Sequence, residues 1–280
     1  MSSTRDLLRL PQGPVDLRSL PTDTTPGFAG DKEAGKAALA GLGPELAELQ
    51  QRLFAGRHVR PARVLLVLQG MDTSGKGGVL KKVVGLLDPH GVRTTAFGVP
   101  TEAERAEHWL ARVRRALPGP GLVGAFDRSH YEDLLVPRVL GEIGDDEVDA
   151  RAREVVAFER GLVDEGTRLV KVFLHLSPEE QRARLLSRLD DPTKRWKFDP
   201  SDLDARARWA DYRATYERVL AATGEAAPWH VVPADRKWFR SLAVGRLLLE
   251  ELQDLDPRWP APDYDVEEQR QRLLMEDPVA

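Results

Sequence analysis

At 280 residues the chain can hold one large domain or two small ones, and it is long enough to bury a core without covalent staples. With 41 basic against 45 acidic residues, a formal charge of −4 argues against a general nucleic-acid coat. No apolar run is long enough to span a membrane, and the opening MSSTRDLLRL lacks the apolar core of a secretory signal. The absence of cysteine excludes disulfides, thiolate metal sites, iron–sulfur clusters and a cysteine nucleophile, and it suits a cytoplasmic address.

Residues 1–30 carry Pro11, Pro14, Pro21 and Pro26 among Ser, Thr and Gly, which predicts an extended arm, partly ordered at most. Leu39, Leu42, Leu46, Leu49 and Leu53 recur at spacings of three and four, predicting an amphipathic helix over 32–57, with a break near Gly41–Pro44. The apolar run Val64–Leu68 between Pro61 and Gly70 reads as a buried strand. A glycine-rich turn follows, then a helix over 79–87, a strand over 92–97 and a polar helix over 102–116. Leu122–Phe126 is a third strand, ending at Asp127. Helices are expected over 133–141 and 147–165, a strand over 169–176 and a helix over 179–189. A charged loop spans 190–200, ahead of a long helix over 202–222. A short strand over 229–232 and a helix over 236–254 complete the pattern. The stretch 256–280 reads as an acidic, proline-rich tail. Alternating strands and helices imply an α/β fold with a parallel five-stranded sheet, whose ligands bind beyond the carboxyl ends of the strands.

Gly70-Met71-Asp72-Thr73-Ser74-Gly75-Lys76-Gly77-Gly78 follows the first strand and opens a helix. Glycines let successive N–H groups curl around one anion, the helix terminus adds partial positive charge, and Lys76 adds a full one. The Ser or Thr whose hydroxyl usually holds Mg2+ is replaced by Gly77. Asp72 is the candidate replacement, because a carboxylate among phosphate-binding amides would repel the anion unless a cation sat between them. Its other reading is a turn residue capping the backbone.

Asp127 ends an apolar strand, where a second carboxylate would complete a site for hard Mg2+, with Mn2+ as a substitute. Arg128 follows at once and can reach a transferring phosphoryl group. Glu132 suits either a base amino group or the N-terminus of the next helix. His130 reads better as a structural histidine than as a phosphorylated nucleophile.

Residues 182–197 hold Arg182, Arg184, Arg188, Lys194, Arg195 and Lys197 against Asp190 and Asp191. Pro192 interrupts the helix and Trp196 sits among the cations. A solvated face would account for the charges alone. A lid over about 182–205 that closes on a polyanion and excludes water accounts for the break and the aromatic as well. The stretch 250–280 has ten acids against three bases, so the near-neutral total hides a basic centre and an acidic tail.

Five segments together resemble the polyphosphate kinase 2 family, from about Leu46 to Leu249. They are Leu46–Gln50, Val67–Gly78, Phe126–Asp133, Arg188–Pro200 and Ala234–Arg240. The resemblance implies a three-layer α/β/α P-loop kinase-like fold spanning 31–255 with a helical lid. It also implies reversible, Mg2+-dependent phosphoryl transfer between inorganic polyphosphate and nucleoside mono- or diphosphates, in a homodimer or homotetramer. Asp72 and Asp127 would be the essential acids, Lys76 and Arg128 would hold phosphates, and Lys194 and Lys197 would be lid cations. Ser129–Asp133 is similar to the subgroup acting on both mono- and diphosphates, while Lys76-Gly77-Gly78 is similar to other subgroups, so the acceptor stays open.

The expected mechanism is direct in-line transfer, with the acceptor phosphate at the phosphate loop and polyphosphate along Arg184, Arg188, Lys194, Arg195 and Lys197. The rival readings are an ATP-dependent nucleoside monophosphate kinase and a non-catalytic polyanion-binding protein. No nucleic-acid or membrane partner is expected.

Overall fold

The computed structural model describes residues 3–276. Five parallel strands form one sheet: β1 (Arg63–Gln69), β2 (Val92–Ala96), β3 (Val123–Asp127), β4 (Thr167–His175) and β5 (Trp229–Pro233), in the order β2-β3-β1-β4-β5. The helices are α1 (Thr4–Leu8), α2 (Lys32–Ala55), α3 (Lys76–Lys82), α4 (Glu102–Arg105), α5 (Ala111–Ala116) and α6 (Glu132–Val139). They continue as α7 (Asp145–Asp164), α8 (Pro178–Asp190), α9 (Ser201–Ala207), α10 (Trp209–Ala222), α11 (Lys237–Leu255) and α12 (Val266–Met275). All five predicted strands are present.

Side chains alternate across the sheet, so each strand feeds two cores. Val64, Leu66, Leu68, Val172 and Leu174 pack with α2, α3 and α11 on one face. Leu65, Val67, Phe126, Phe173 and Trp229 pack with α5, α6, α7 and α10 on the other. This is the three-layer α/β/α arrangement. Because β1 lies between β3 and β4, the chain reverses its winding there and leaves a crevice beyond the carboxyl ends of the central strands. Leu68 of β1 is in register with Asp127 of β3, which brings the phosphate loop and the second strand end together.

Several segments depart from expectation. The helix over 102–116 is instead α4 and α5, separated by residues 106–110, and the helix over 79–87 is α3, which starts at Lys76 and ends at Lys82. Pro44 does not break α2, which runs through it as one helix, because Leu39, Leu46, Leu49 and Leu53 are buried along a single face. The long helix over 202–222 is instead α9 and α10, parted at Arg208, whose backbone (φ −95°, ψ 23°) leaves helical geometry. The N-terminal arm is folded onto the body. The Glu250 carboxylate accepts the Thr4 and Arg5 N–H groups at 2.7 and 2.9 Å, Leu8 and Leu17 are buried, and Leu10 N–H donates to Trp229 O along the sheet edge. In the tail, α12 carries the exposed Leu273, Leu274 and Met275. Among the described residues, no helix is long and apolar enough to cross a membrane.

Candidate active site

The chain leaves β1 through Gly70, whose φ of +145° and close approach to Leu174 O exclude a side chain. Thr73 (φ +64°) and Gly75 (φ +103°) turn the loop into the N-terminus of α3. Lys76 is buried, and its Nζ donates to Gly70 O at 2.8 Å, inside the loop it was expected to serve. Burial and the Arg128 guanidinium pull the Lys76 ammonium below its ordinary value, against the attraction of Asp72 and Asp127. Thr73 Oγ1 and Ser74 Oγ are buried without a partner.

Asp72 stands at the loop's edge, one-quarter exposed, and accepts from Arg128 Nη2 at 2.7 Å through Oδ1. Arg128 itself has φ +64°, and its N–H donates to Leu68 O, so the first residue beyond β3 turns back over β1. Such a backbone in a non-glycine residue costs about 1–3 kcal/mol and is typical of functional sites. Burial pulls the Arg128 guanidinium down, but Glu132, Asp72 and Asp127 outweigh it and raise it above its usual value.

The Asp127 carboxylate accepts no hydrogen bond among the described residues, although its backbone oxygen takes Phe97 N–H at 3.0 Å. Gly77 faces it: a Cβ there would lie 3.9 Å from Asp127 Oδ2. An unpaired carboxylate beside a phosphate loop is the donor expected of a divalent-cation site. Among the described residues there is no cluster of three or more metal-type side chains, so the protein offers no closed cage. Asp72 and Asp127 therefore fit a hard cation that completes its shell with water and substrate phosphate.

Glu132 turns toward Arg128 and Gln69. Its carboxylate lies 3.9 Å from Arg128 Nε and, with the amide nitrogen turned toward it, Gln69 donates at 2.9 Å to Oε1. Burial raises its carboxyl above the ordinary range despite Arg128 and Lys76. His130 is in the core. Its Nε2 lies 3.3 Å from Glu159 Oε1, and Tyr131 OH donates to the same oxygen at 2.6 Å. Lys171 donates to Glu159 Oε2 at 2.6 Å and to Thr223 O at 2.5 Å. This buried network anchors the Ser129–Asp133 segment, and nothing in the pattern of residues announced it.

Arg184 departs from its expected place in an open groove. It is 6% exposed and donates to Glu180, Thr73 O, Ser74 O, Ala234 O and Asp235 O, which ties the root of α8 to the phosphate loop. Arg188 is half-buried against Asp202 and Lys197 O. Lys194, Arg195 and Lys197 are exposed, with Lys197 Nζ 4.9 Å from the ring of Trp196, which is 78% exposed. Sequence reasoning also missed Arg240 of α11, whose guanidinium lies directly behind Gly75 and Gly78.

A family model described as Polyphosphate kinase 2 matches residues 29–260. The chain is 44% identical over 255 residues to an AMP/ADP-polyphosphate phosphotransferase of Meiothermus ruber, covering 90% of this chain and 94% of that one. It is 38% identical over 278 residues to an ADP-polyphosphate phosphotransferase of Rhodopseudomonas palustris, covering 93% and 94%. The crystal structure of Polyphosphate Kinase 2 from Arthrobacter aurescens TC1 superposes with a TM-score of 0.95 at 45% identity, covering 98% of both chains.

Proposed function

The chain belongs to the polyphosphate kinase 2 family, and on that premise we propose that it moves a phosphoryl group directly and reversibly between inorganic polyphosphate and a nucleoside mono- or diphosphate. The observation that carries this reading is the convergence of Lys76 with Asp72 from the loop and Asp127 from β3, at strand ends held in register.

Lys76 and the free N–H groups at the start of α3 bind the terminal phosphates of polyphosphate rather than the acceptor phosphate expected from the sequence, a reading supported by Arg184, which joins the lid helix to this loop. Arg128, now on Asp72, swings onto the phosphoryl group in transit and stabilises its spreading charge. Glu132 and Gln69 hold Arg128 in reach. Asp72 and Asp127 would hold a divalent cation, proposed to be Mg2+ with Mn2+ as a substitute, which would supply positive charge against the phosphates when bound. No general base is required, since the attacking phosphate oxygen is already ionised at neutral pH. The burial of His130 against Glu159 supports transfer without a phosphohistidine.

The lid over about 182–205 contributes Lys194, Arg195 and Lys197 to the polyphosphate groove, with Arg188 behind them. Trp196 lies against Lys197 and Arg184 serves as the fixed root. A cytoplasmic homodimer or homotetramer is proposed, supported by the uncovered apolar side chains of α12.

The test supplies ADP or AMP with long-chain polyphosphate and no ATP, and follows product in both directions. New ATP or ADP is expected. Its absence, beside activity with ATP and a nucleoside monophosphate, would point to an ordinary monophosphate kinase. Polyphosphate binding without turnover would point to a polyanion-binding protein.

A further inference from the structure

Arg240 is 3% exposed, yet among the described residues it has no carboxylate partner. Its Nη1 donates to Ser74 O at 3.1 Å, its Nε has no partner, and Arg184 Nη1 reaches the same Ser74 oxygen at 3.2 Å. Two buried guanidinium groups thus share one carbonyl. The loop is shaped around the second of them: a Cβ on Gly75 would fall 1.8 Å from Arg240 Nη1, and one on Gly78 would fall 2.7 Å from Nη2. Burial and the charge of Arg184 pull Arg240 down to about 10. A buried charge left unpaired is costly, and a fold does not carry one behind a phosphate loop without compensation.

The carbonyl that the two arginines share sets the direction of the neighbouring N–H. A trans peptide points its C=O and N–H to opposite sides, and no peptide in the described chain is cis. Two arginines pulling on the Ser74 carbonyl therefore turn the Gly75 N–H away from them. That N–H donates to nothing among the described residues.

We infer that Arg240 is a positioning residue for the polyphosphate held by the loop: with Arg184 it pins the Ser74 carbonyl so that the Gly75 N–H faces the anion, and its own charge is balanced only when the anion is there. The inference rests on the phosphotransfer reading for the identity of that anion.

Calorimetric titration with inorganic tripolyphosphate, without nucleotide, tests it on Arg240→Met, which loses charge and hydrogen bond, and on Arg240→Lys, which keeps the charge. The expected loss of tripolyphosphate affinity is about tenfold for Met and about threefold for Lys, the scale of one charged hydrogen bond. In turnover the KM for polyphosphate rises by similar factors, while kcat and the nucleotide KM stay within about twofold. The unliganded Met variant melts no lower than the wild type, because an unpaired buried charge has gone.

Unchanged tripolyphosphate affinity in a folded Met variant overturns the inference. So does a lowered melting temperature with equal losses in kcat and both KM values, which is the signature of a merely structural residue. If the Met variant does not fold, the Lys variant decides: a wild-type KM for polyphosphate overturns the inference, and a raised one with unchanged nucleotide KM supports it. A wild-type protein that failed to bind tripolyphosphate would instead remove the functional reading itself.

Discussion

Arg128 and Asp72 face each other across the mouth of the phosphate loop, Nη2 to Oδ1 at 2.7 Å, although they leave the sheet from different strands. The pair is accessible, with 40% and 27% of the two side chains exposed, so its worth to stability is small and its consequence is for the site. Without substrate the arginine neutralises the acid. In the proposed reaction phosphate takes the arginine and leaves the acid for the cation.

Replacing Arg128 should therefore cost turnover and leave the fold intact. Arg128→Ala is expected to lower kcat by about 10^3-fold, the scale of an arginine that stabilises a phosphoryl transition state. Arg128→Lys should recover only part of this, because the fork to phosphate is lost. Steady-state kinetics beside a thermal melt checks both. A kcat within tenfold of wild type in Arg128→Ala would mean that the arginine serves only Asp72.

Asp72→Ala and Asp127→Ala should each abolish turnover by several orders of magnitude while retaining part of the polyphosphate binding, because the cationic lid is untouched. Chelation of divalent ions should do the same to the wild type, and added Mg2+ should restore it. Activity that survives chelation would leave the unpaired Asp127 without its proposed purpose.

The buried Lys171–Glu159 pair makes a stability prediction. Both side chains are fully buried, and burial pushes the Glu159 carboxyl up while Lys171 and His130 more than offset this and hold it below its ordinary value. Lys171→Met should destabilise by about 3–5 kcal/mol, since it strands a charge, whereas Lys171→Met with Glu159→Leu should recover much of the loss. Urea unfolding of the wild type and the two variants reads the difference. Equal stability of single and double variants would show that the pair is not coupled.

Acid should weaken the fold through His230. Burial on β5, with Arg5 and Arg9 of the arm nearby, pulls its imidazole down to about 4. The unfolded chain takes up the proton near pH 6.5 and the folded chain does not until about pH 4, so stability is fully present above 6.5 and is lost as pH falls through that window. The loss is at most about 3 kcal/mol. The difference in urea midpoint between pH 7.5 and 5 should shrink in His230→Gln. An unchanged difference would remove His230 as the source.

Gly75→Ala should inactivate the protein, since both its φ of +103° and the Arg240 guanidinium forbid a side chain. Gly78→Ala meets only the end of the Arg240 side chain and should instead raise the KM for polyphosphate. Two alanine variants with equal kinetics would sink this ranking.

The order of residues along the chain was enough to mark five strands, the phosphate loop and the acid at the end of β3, because apolar runs, glycine spacing and strand-end carboxylates are local signals. Those same signals placed Asp72, Lys76, Asp127 and Arg128 together, and the register of Leu68 with Asp127 puts the two strand ends side by side. Local signals could not say which arginines face solvent. Arg184 and Arg188 are four residues apart on one basic helix, yet Arg184 is spent on the carbonyls of the phosphate loop and of the turn after β5. Arg240 lies 166 residues from the carbonyl it holds, and the partner of Lys171 is on another element. A charge pattern records the number of cations and their spacing. Whether each is buried, and what its hydrogen bonds reach, is decided by which distant backbone the fold packs against it.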